Sequence, residues 1–296
     1  MSEQYLPSQT NAQFLKTLAQ HLAEGRSDTL ARLFAQNNAP APQVVWQPSL
    51  VDAQHPILRS FLRGVSAADP PINVRWLDSE EFGALNDWTM VVAPTDDGND
   101  FYYRHYGAKI AEVYQADMTG RRVSHIGGHV SVFFSALYRA VTLRNEPVMS
   151  VHEPPRMVFV RAWRRIIQPL IDDDGAITCF AAVNVPDNDL RAGLEVLSQA
   201  VMVVSPEGAV QYANRAACLL FGQARSPLGG ADLASFAWIE IDLPSSPDRL
   251  ILQGGQRETR GVIRHGSMLV PIVLTIGATY YRDLPLFVIS ARLENG

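Results

Sequence analysis

The sequence is short of the residue patterns on which most enzymes and nucleic-acid binders rest. It has two cysteines, Cys179 and Cys218, in 296 residues, too few for a disulfide framework and in keeping with a reducing cytoplasm. No C-x-x-C, G-x-S-x-G, G-x-x-x-x-G-K-[ST] or H-E-x-x-H pattern occurs. Redox, serine-nucleophile, phosphate-cradling and zinc-hydrolase chemistry therefore have no motif to act through. Signatures of cyclic-dinucleotide synthases and histidine kinases are also missing. No long run of Lys or Arg is present, and the formal net charge is −5, so a face that neutralises nucleic-acid phosphates is not expected. No apolar run approaches the roughly 20 residues of a membrane span. The opening Met1-Ser2-Glu3-Gln4 lacks the basic and apolar regions of a secretory signal. The expectation is a soluble, cytoplasmic, non-enzymatic protein with neither nucleic acid nor membrane as partner.

What is present is core-forming material. Hydrophobic residues make up 47% of the chain and charged residues 19%, enough for two domains of ordinary size. Phe14, Leu15, Leu18 and Leu22 share one helical face ending near Gly25, and Ser27 or Asp28 can cap a second helix carrying Leu30, Leu33 and Phe34. Asn37 to Pro48 holds three prolines and is expected to be irregular, with a short helix over His55 to Leu62. Residues 1–70 thus read as a helical segment that docks on a domain or pairs with its copy.

The following stretch alternates strand and turn signals. Trp88 to Val92 and Asp100 to Tyr106 read as strands around a Pro94-Thr95-Asp96-Asp97-Gly98 turn, followed by a short helix over Ala108 to Tyr114. Val130 to Leu143 is a longer amphipathic helix. Strands are expected from Pro147 to Val151, Arg156 to Ile171 and Ala176 to Val185, with Asp172 to Gly175 as the last hairpin turn. The order recurs further on. Val201 to Val204 is a β-branched run, Ser205-Pro206-Glu207-Gly208 a turn, Ala209 to Tyr212 a strand, and Asn214 an N-cap for Arg215 to Phe221. A shortened helix at Asp248 to Leu252 precedes strands over Glu258–Arg264, Met268–Tyr280 and Leu284–Arg292. Tyr103 to Gly120 and Tyr212 to Gly229 span the same seventeen positions, with Ile110 and Leu219 each seven after the tyrosine.

On these residues the chain resembles the PAS family twice. The stretch from Ala200 to Gly229 is similar to a PAS opening. Asp100 to Gly120 and Arg165 to Gly175 resemble the "D-F-x-Y-R-x-x-G-x-x-I-x-x-x-Y-x-x-D-x-T-G" opening and "R-x-x-x-P-L-x-x-D-G" close of a proteobacterial PAS variety, with Gln168 where an apolar residue is usual. The resemblance implies an α+β fold: the helical segment 1–70, a first PAS domain over 71–186, a linker helix over 187–199 and a second PAS domain over 200–296. Each domain would be a five-stranded antiparallel sheet gripping short helices. It further implies bacterial signal sensing or relay, a homodimer, and an output through a downstream effector protein or a further C-terminal part. A ligand-free adaptor that only dimerises and docks partners is the alternative.

Candidate ligand-binding residues in the first domain are Tyr103, Tyr106, Tyr114, Phe133, Phe134, Phe159 and Trp163, aromatics able to wall a cavity between sheet and helices. Leu190, Leu194 and Leu197, at i, i+4 and i+7, mark the expected relay stripe. Haem and flavin occur in relatives, but no specific motif supports either, and the cofactor stays undefined. His125 and His129 flank Gly127-Gly128 and read as surface or capping histidines rather than metal ligands. His152-Glu153 before Pro154-Pro155 reads as structural. Asp172-Asp173-Asp174-Gly175 lacks the downstream Glu of a calcium loop.

Overall fold

The computed structural model describes residues 8–114, 116–154, 160–187, 189–223, 232–233, 243–244, 246–252, 255–265, 268–281 and 284–294. Within it the chain divides into two compact units, one drawn from residues 1–111, 117–155 and 161–187, the other from 112–116, 156–160 and 188–296. The expected features at residues 156–159, Asn188, Gly229 and most of 232–241, and the turn residues Gly266, Arg282 and Asp283, lie outside the described residues.

In the first unit, helices α1 (Ser8–Ala23), α2 (Asp28–Ala35), α3 (Pro56–Ala67), α4 (Glu80–Gly83) and α6 (Gly128–Arg144), with the first part of α5 (Ala108–Tyr114), accompany strands β1 (Gln43–Trp46), β2 (Thr89–Pro94), β3 (Phe101–Tyr106), β4 (Val148–His152), β5 (Ala162–Ile171) and β6 (Ile177–Asp187). Local chemistry sets the boundaries. Pro56 stands at the start of α3, where its missing N–H costs nothing, and His55 Nδ1 accepts from the Ile57 N–H at 3.2 Å. Helix α6 stops where Asn145 turns left-handed. The Gly120 N–H donates to the Tyr103 carbonyl at 2.8 Å, so the seventeen-residue spacing closes a loop back onto β3. Gly107 permits a close backbone approach: a Cβ there would lie 2.3 Å from the Asp87 carbonyl oxygen.

The strands form a wholly antiparallel sheet in the order β1-β4-β5-β6-β2-β3. Strand β1 corrects the expectation of irregular structure over Asn37 to Pro48. Val44-Val45-Trp46 has strong strand character and sits between Pro42 and Pro48, and as an edge strand it tolerates flanking prolines. It is anchored by the Trp46 indole N–H, which donates to the Leu22 carbonyl at 3.1 Å, and by Arg144 over the indole at 4.6 Å. This sheet accordingly has six strands among the described residues.

Both faces of the sheet are covered. One packs Val91, Ala93, Ile166, Leu170, Val183 and Val185 against Leu58, Phe61 and Val65 of α3, with Trp76 and Phe82. Residues of opposite parity, among them Arg165, Phe180 and Asn184, lie on the face that carries α6, and α6 is in turn backed by α1.

In the second unit, β7 (Ala200–Val204), β8 (Val210–Ala213), β9 (Gln256–His265), β10 (Met268–Tyr281) and β11 (Leu284–Leu293) pair antiparallel in the order β8-β7-β11-β10-β9. Helices α7 (Asp189–Glu195), α8 (Arg215–Leu220) and α9 (Pro247–Leu252) complete it. Its core is aliphatic, built from Met202, Val204, Val210, Ile263, Ile272, Leu274, Ile276 and Ile289 around Phe287 and Phe221. With β1 set aside, the two sheets share one strand order: second, first, fifth, fourth, third. The fold class is α+β, as the sequence predicts. No helix among the described residues is long and apolar enough to cross a membrane.

Candidate functional site

The register of the first sheet builds a polar row inside an apolar layer. Ser150 on β4 pairs with Arg165 on β5, and Arg165 pairs with Asn184 on β6, so the three side chains stand abreast on the face under α6. His152 follows two residues after Ser150 and is the cross-strand partner of Trp163. All four polar residues are buried: Ser150 is 1% exposed, Asn184 2%, His152 5% and Arg165 5%. Helix α6 supplies Phe133, Phe134 and Tyr138 above them.

The contacts within this layer leave polar atoms unmatched. Arg165 Nε reaches Asn184 Oδ1 at 3.4 Å, and its guanidinium lies over the Phe134 ring at 3.8 Å. The His152 ring meets Phe134 edge-on at 4.8 Å and Phe133 at 6.2 Å. Tyr138 packs between Phe101 at 5.2 Å and Phe180 at 5.3 Å. Yet Arg165 Nη1, Tyr138 Oη, Ser150 Oγ and His152 Nδ1 are buried with no hydrogen-bond partner of acceptable geometry. Leaving a buried polar atom unmatched costs about 1–3 kcal/mol, so four in one layer is an expensive arrangement for a plain core. No ion pair satisfies Arg165 among the described residues.

Burial also sets the protonation states. It pushes His152 well below the usual imidazole range, and the neighbouring Arg165 charge adds to the shift. The ring is therefore neutral near pH 7. Burial raises the Tyr138 phenol, opposed by nearby Arg165, so the phenol keeps its proton. The layer thus holds one cation, two hydroxyls and one neutral imidazole.

Of the residues proposed from sequence, Phe133, Phe134 and Trp163 border this polar row. Tyr103 and Tyr106 are buried on β3, at the far edge of the sheet from β4, and pack against each other at 5.2 Å. Tyr114 ends α5 in the 112–116 stretch counted with the second unit. Phe159 lies outside the described residues. None of the polar members Tyr138, Ser150, Arg165 and Asn184 is named as a site residue from sequence, although Arg165 opens the R-x-x-x-P-L-x-x-D-G stretch, and His152 reads there as structural. Their signal was a polar residue in phase with core positions: Arg165 alternates with Trp163 and Ile167, and Asn184 interrupts Ala181-Ala182-Val183 before Val185. His125 lies in a 3-10 turn with Nδ1 facing the Arg122 N–H at 3.4 Å, and His129 sets its ring edge-on to Phe34 at 4.6 Å. Among the described residues no group of three or more His, Cys, Asp or Glu is placed to hold a metal.

A second polar centre organises the start of the second unit. Asn214 Oδ1 accepts from the Val201 and Ala217 N–H groups, both at 2.9 Å. Its Nδ2 donates to the carbonyls of Leu194 at 3.0 Å and Gln199 at 2.8 Å. The Tyr212 hydroxyl donates to Glu195 Oε2 at 2.8 Å. These bonds clamp the segment after α7 onto β7, β8 and the start of α8. Leu194 packs against Val203, Tyr212 and Leu286. Leu197 lies beyond the end of α7 and is exposed, so the helical stripe expected over Leu190, Leu194 and Leu197 does not continue to its third member.

Comparison with known proteins gives a family model described as the PAS fold, matched over residues 188–279. Solved structures similar to part of the chain include the PAS domain of nitrogen regulation protein NR(II) from Vibrio parahaemolyticus, at 18% identity over 35% of this chain and 96% of that one, with a TM-score of 0.31. The PAS domain of an HTR-like protein from Haloarcula marismortui is 15% identical over 36% of this chain and 88% of that one, with a TM-score of 0.28. The Bordetella pertussis BvgS PAS domain is 12% identical over 36% and 83%, with a TM-score of 0.27. No curated protein matches the chain.

Proposed function

We propose that the chain is a non-enzymatic sensor or signal-relay protein of the cytoplasm, built from two PAS-type units. The first takes a small molecule between its sheet and α6. Residues 187–199 carry the resulting bias to the second unit, which presents it to an effector, with a homodimer as the working assembly. The observation that carries this reading is the common strand order of the two sheets, taken with the PAS-fold match over 188–279. It extends the likeness from the second unit to the first. A module used twice without a catalytic motif suits signalling better than chemistry. The clamp on residues 194–199 supports a relay, because a change at the linker is felt directly by β7, β8 and α8. Relay requires the ligand to favour one state of the first unit, a difference on the order of 1–3 kcal/mol.

A ligand-free adaptor is the second reading, and one observation favours it. The second unit carries an open groove of about 980 Å³ lined in part by Leu219, Leu220, Met268, Val270 and Leu293, a surface suited to docking. Native mass spectrometry of the full chain, followed by thermal shift across a metabolite panel and hydrogen exchange over 189–217, separates the two. A bound small molecule with altered exchange in that segment supports the sensor. A bare polypeptide mass with no thermal shift supports the adaptor.

A further inference from the structure

The unmatched atoms under α6 point to a particular ligand chemistry. We propose that the first unit binds a small monocarboxylate with an apolar or aromatic body, its carboxylate paired with Arg165 in the layer between the sheet and α6. This deepens the sensor reading and rests on it.

The charge comes first. Arg165 is a cation at the centre of a sheet covered on both faces, with Asn184, Phe134, Tyr138 and His152 around it and no acid paired to it among the described residues. As a structural element it is a poor choice, because a similarly long apolar side chain would fill the same space without desolvating a charge. A planar guanidinium with an unused N–H is, in contrast, matched to the fork of a carboxylate.

The hydrogen bonds agree with that charge. Arg165 Nη1, Ser150 Oγ and Tyr138 Oη are all donors, all buried and none in a hydrogen bond of good geometry, although the Tyr138 hydroxyl lies beside the Arg165 guanidinium, and a carboxylate has two oxygens that accept several bonds. The three come from β5, β4 and α6, and all belong to the layer between the sheet and that helix. His152 Nδ1, the fourth unmatched atom, stands at the next row and can meet a second polar group on the ligand. With a single cation in the layer, one negative charge is compensated and two are not. This favours a monocarboxylate over a phosphate.

The surroundings describe the rest of the molecule. Phe133, Phe134 and Phe180 offer ring faces and edges to an apolar body. Access is supplied by a cavity of about 450 Å³ in the same unit, which Phe101 and Phe180 wall on the side where both touch Tyr138. Lys16 and Arg139 line this cavity, and among the described residues no acidic side chain does, although Asp100 offsets part of the Arg139 charge. Passage inward has to displace the Tyr138 ring and with it α6, and this is the movement that a sensor would transmit.

The test is calorimetry on the full chain with benzoate, phenylacetate and pyruvate, each against its neutral amide, and with inorganic phosphate. At least one acid should bind roughly tenfold or more tightly than its amide and than phosphate, the scale of losing a charge-assisted bond. Arg165→Met should abolish that binding while the far-ultraviolet spectrum stays native. Ser150→Ala should weaken it roughly tenfold. If Arg165→Met does not fold, Arg165→Lys replaces it, with weakened binding expected. Equal binding of acid and amide, no binding by any acid, or unchanged binding in the Arg165 and Ser150 variants would overturn the proposal. Amide binding with altered exchange over 189–217 would remove the carboxylate and leave the sensor reading standing. Acid binding without any change there would keep the carboxylate and remove the relay.

Discussion

The Arg165 guanidinium stands 3.8 Å from the ring centre of Phe134 and makes one weak bond to Asn184, with the Tyr138 hydroxyl beside it and no acid paired to it among the described residues. A cation–π contact in a desolvated setting is worth about 2 kcal/mol, less than several kcal/mol for burying an ion. Arg165→Met should therefore leave the first unit as stable as before or stabilise it by up to about 2 kcal/mol, measured by urea unfolding without added ligand. A loss of more than about 2 kcal/mol would mean that Arg165 is a structural keystone.

His152 gives the first unit a pH dependence of known sign. Its folded pKa lies well below the ordinary imidazole value because of burial and then the Arg165 charge. The unfolded chain therefore takes up the proton first as pH falls. Stability is complete above about pH 6.5 and declines below it until the folded value is reached. His129 and His55 are also lowered, mainly by burial, so the total slope is shared. His152→Phe, whose ring suits the space beside Phe133 and Phe134, should remove part of the slope between about pH 6.5 and 5. Denaturation midpoints of both proteins across that range decide it, and an unchanged slope would show that His152 is not buried neutral.

Gly107 and Gly175 should respond differently to alanine. At Gly107 a Cβ meets Asp87 backbone at 2.3 Å, and backbone cannot swing aside, so Gly107→Ala should cost about 3 kcal/mol. At Gly175 no atom lies within 4 Å but φ is +79°, so the cost should be about 1 kcal/mol, the penalty of a left-handed residue. Thermal unfolding of the two variants checks the ranking, and equal losses would refute the close approach at Gly107.

Much of this framework was readable from residue order. Helix α5 occupies the predicted Ala108 to Tyr114, and Asn214 caps α8 as its position before Arg215 implies. Strand β1 was hidden because proline is a signal against central strands, whereas this is an edge. The polar row was hidden for a different reason. Alternation along β5 separates Arg165 from Arg164 but does not say which face is buried, and in this sheet both faces are. Only the register with Ser150 and Asn184 reveals that three polar positions, far apart in sequence, stand side by side. The stripe over Leu190, Leu194 and Leu197 follows helical arithmetic, but it assumes that the helix runs on past Glu195.

Leu194 and Leu197 therefore part company. Leu194 packs against Val203, Tyr212 and Leu286, and truncating it should cost about 2 kcal/mol. Leu197 is exposed beyond the helix, and Leu197→Ala should stay within about 0.5 kcal/mol. Chemical denaturation of the second unit's transition checks both. A large effect at Leu197 would mean that it is covered in the working assembly.

Asn214 is the sharper probe of the relay, because it both accepts and donates. Asn214→Ala removes the α8 cap, the bond from the Val201 N–H and the donors to Leu194 and Gln199. A lost cap costs about 1 kcal/mol and each stranded buried group a similar amount or more, so the sum should be about 2–4 kcal/mol. Asn214→Asp is more informative. It keeps the two accepted bonds but turns a carboxylate oxygen toward the carbonyls of Leu194 and Gln199, where repulsion replaces donation. Hydrogen exchange should then accelerate over 194–199, while β7, β10 and β11 keep their protection. A ligand effect that reaches α8 in the wild type should be attenuated in this variant even though the first unit still binds. Undiminished transmission through the Asp variant would mean that the signal does not pass by way of the Asn214 clamp.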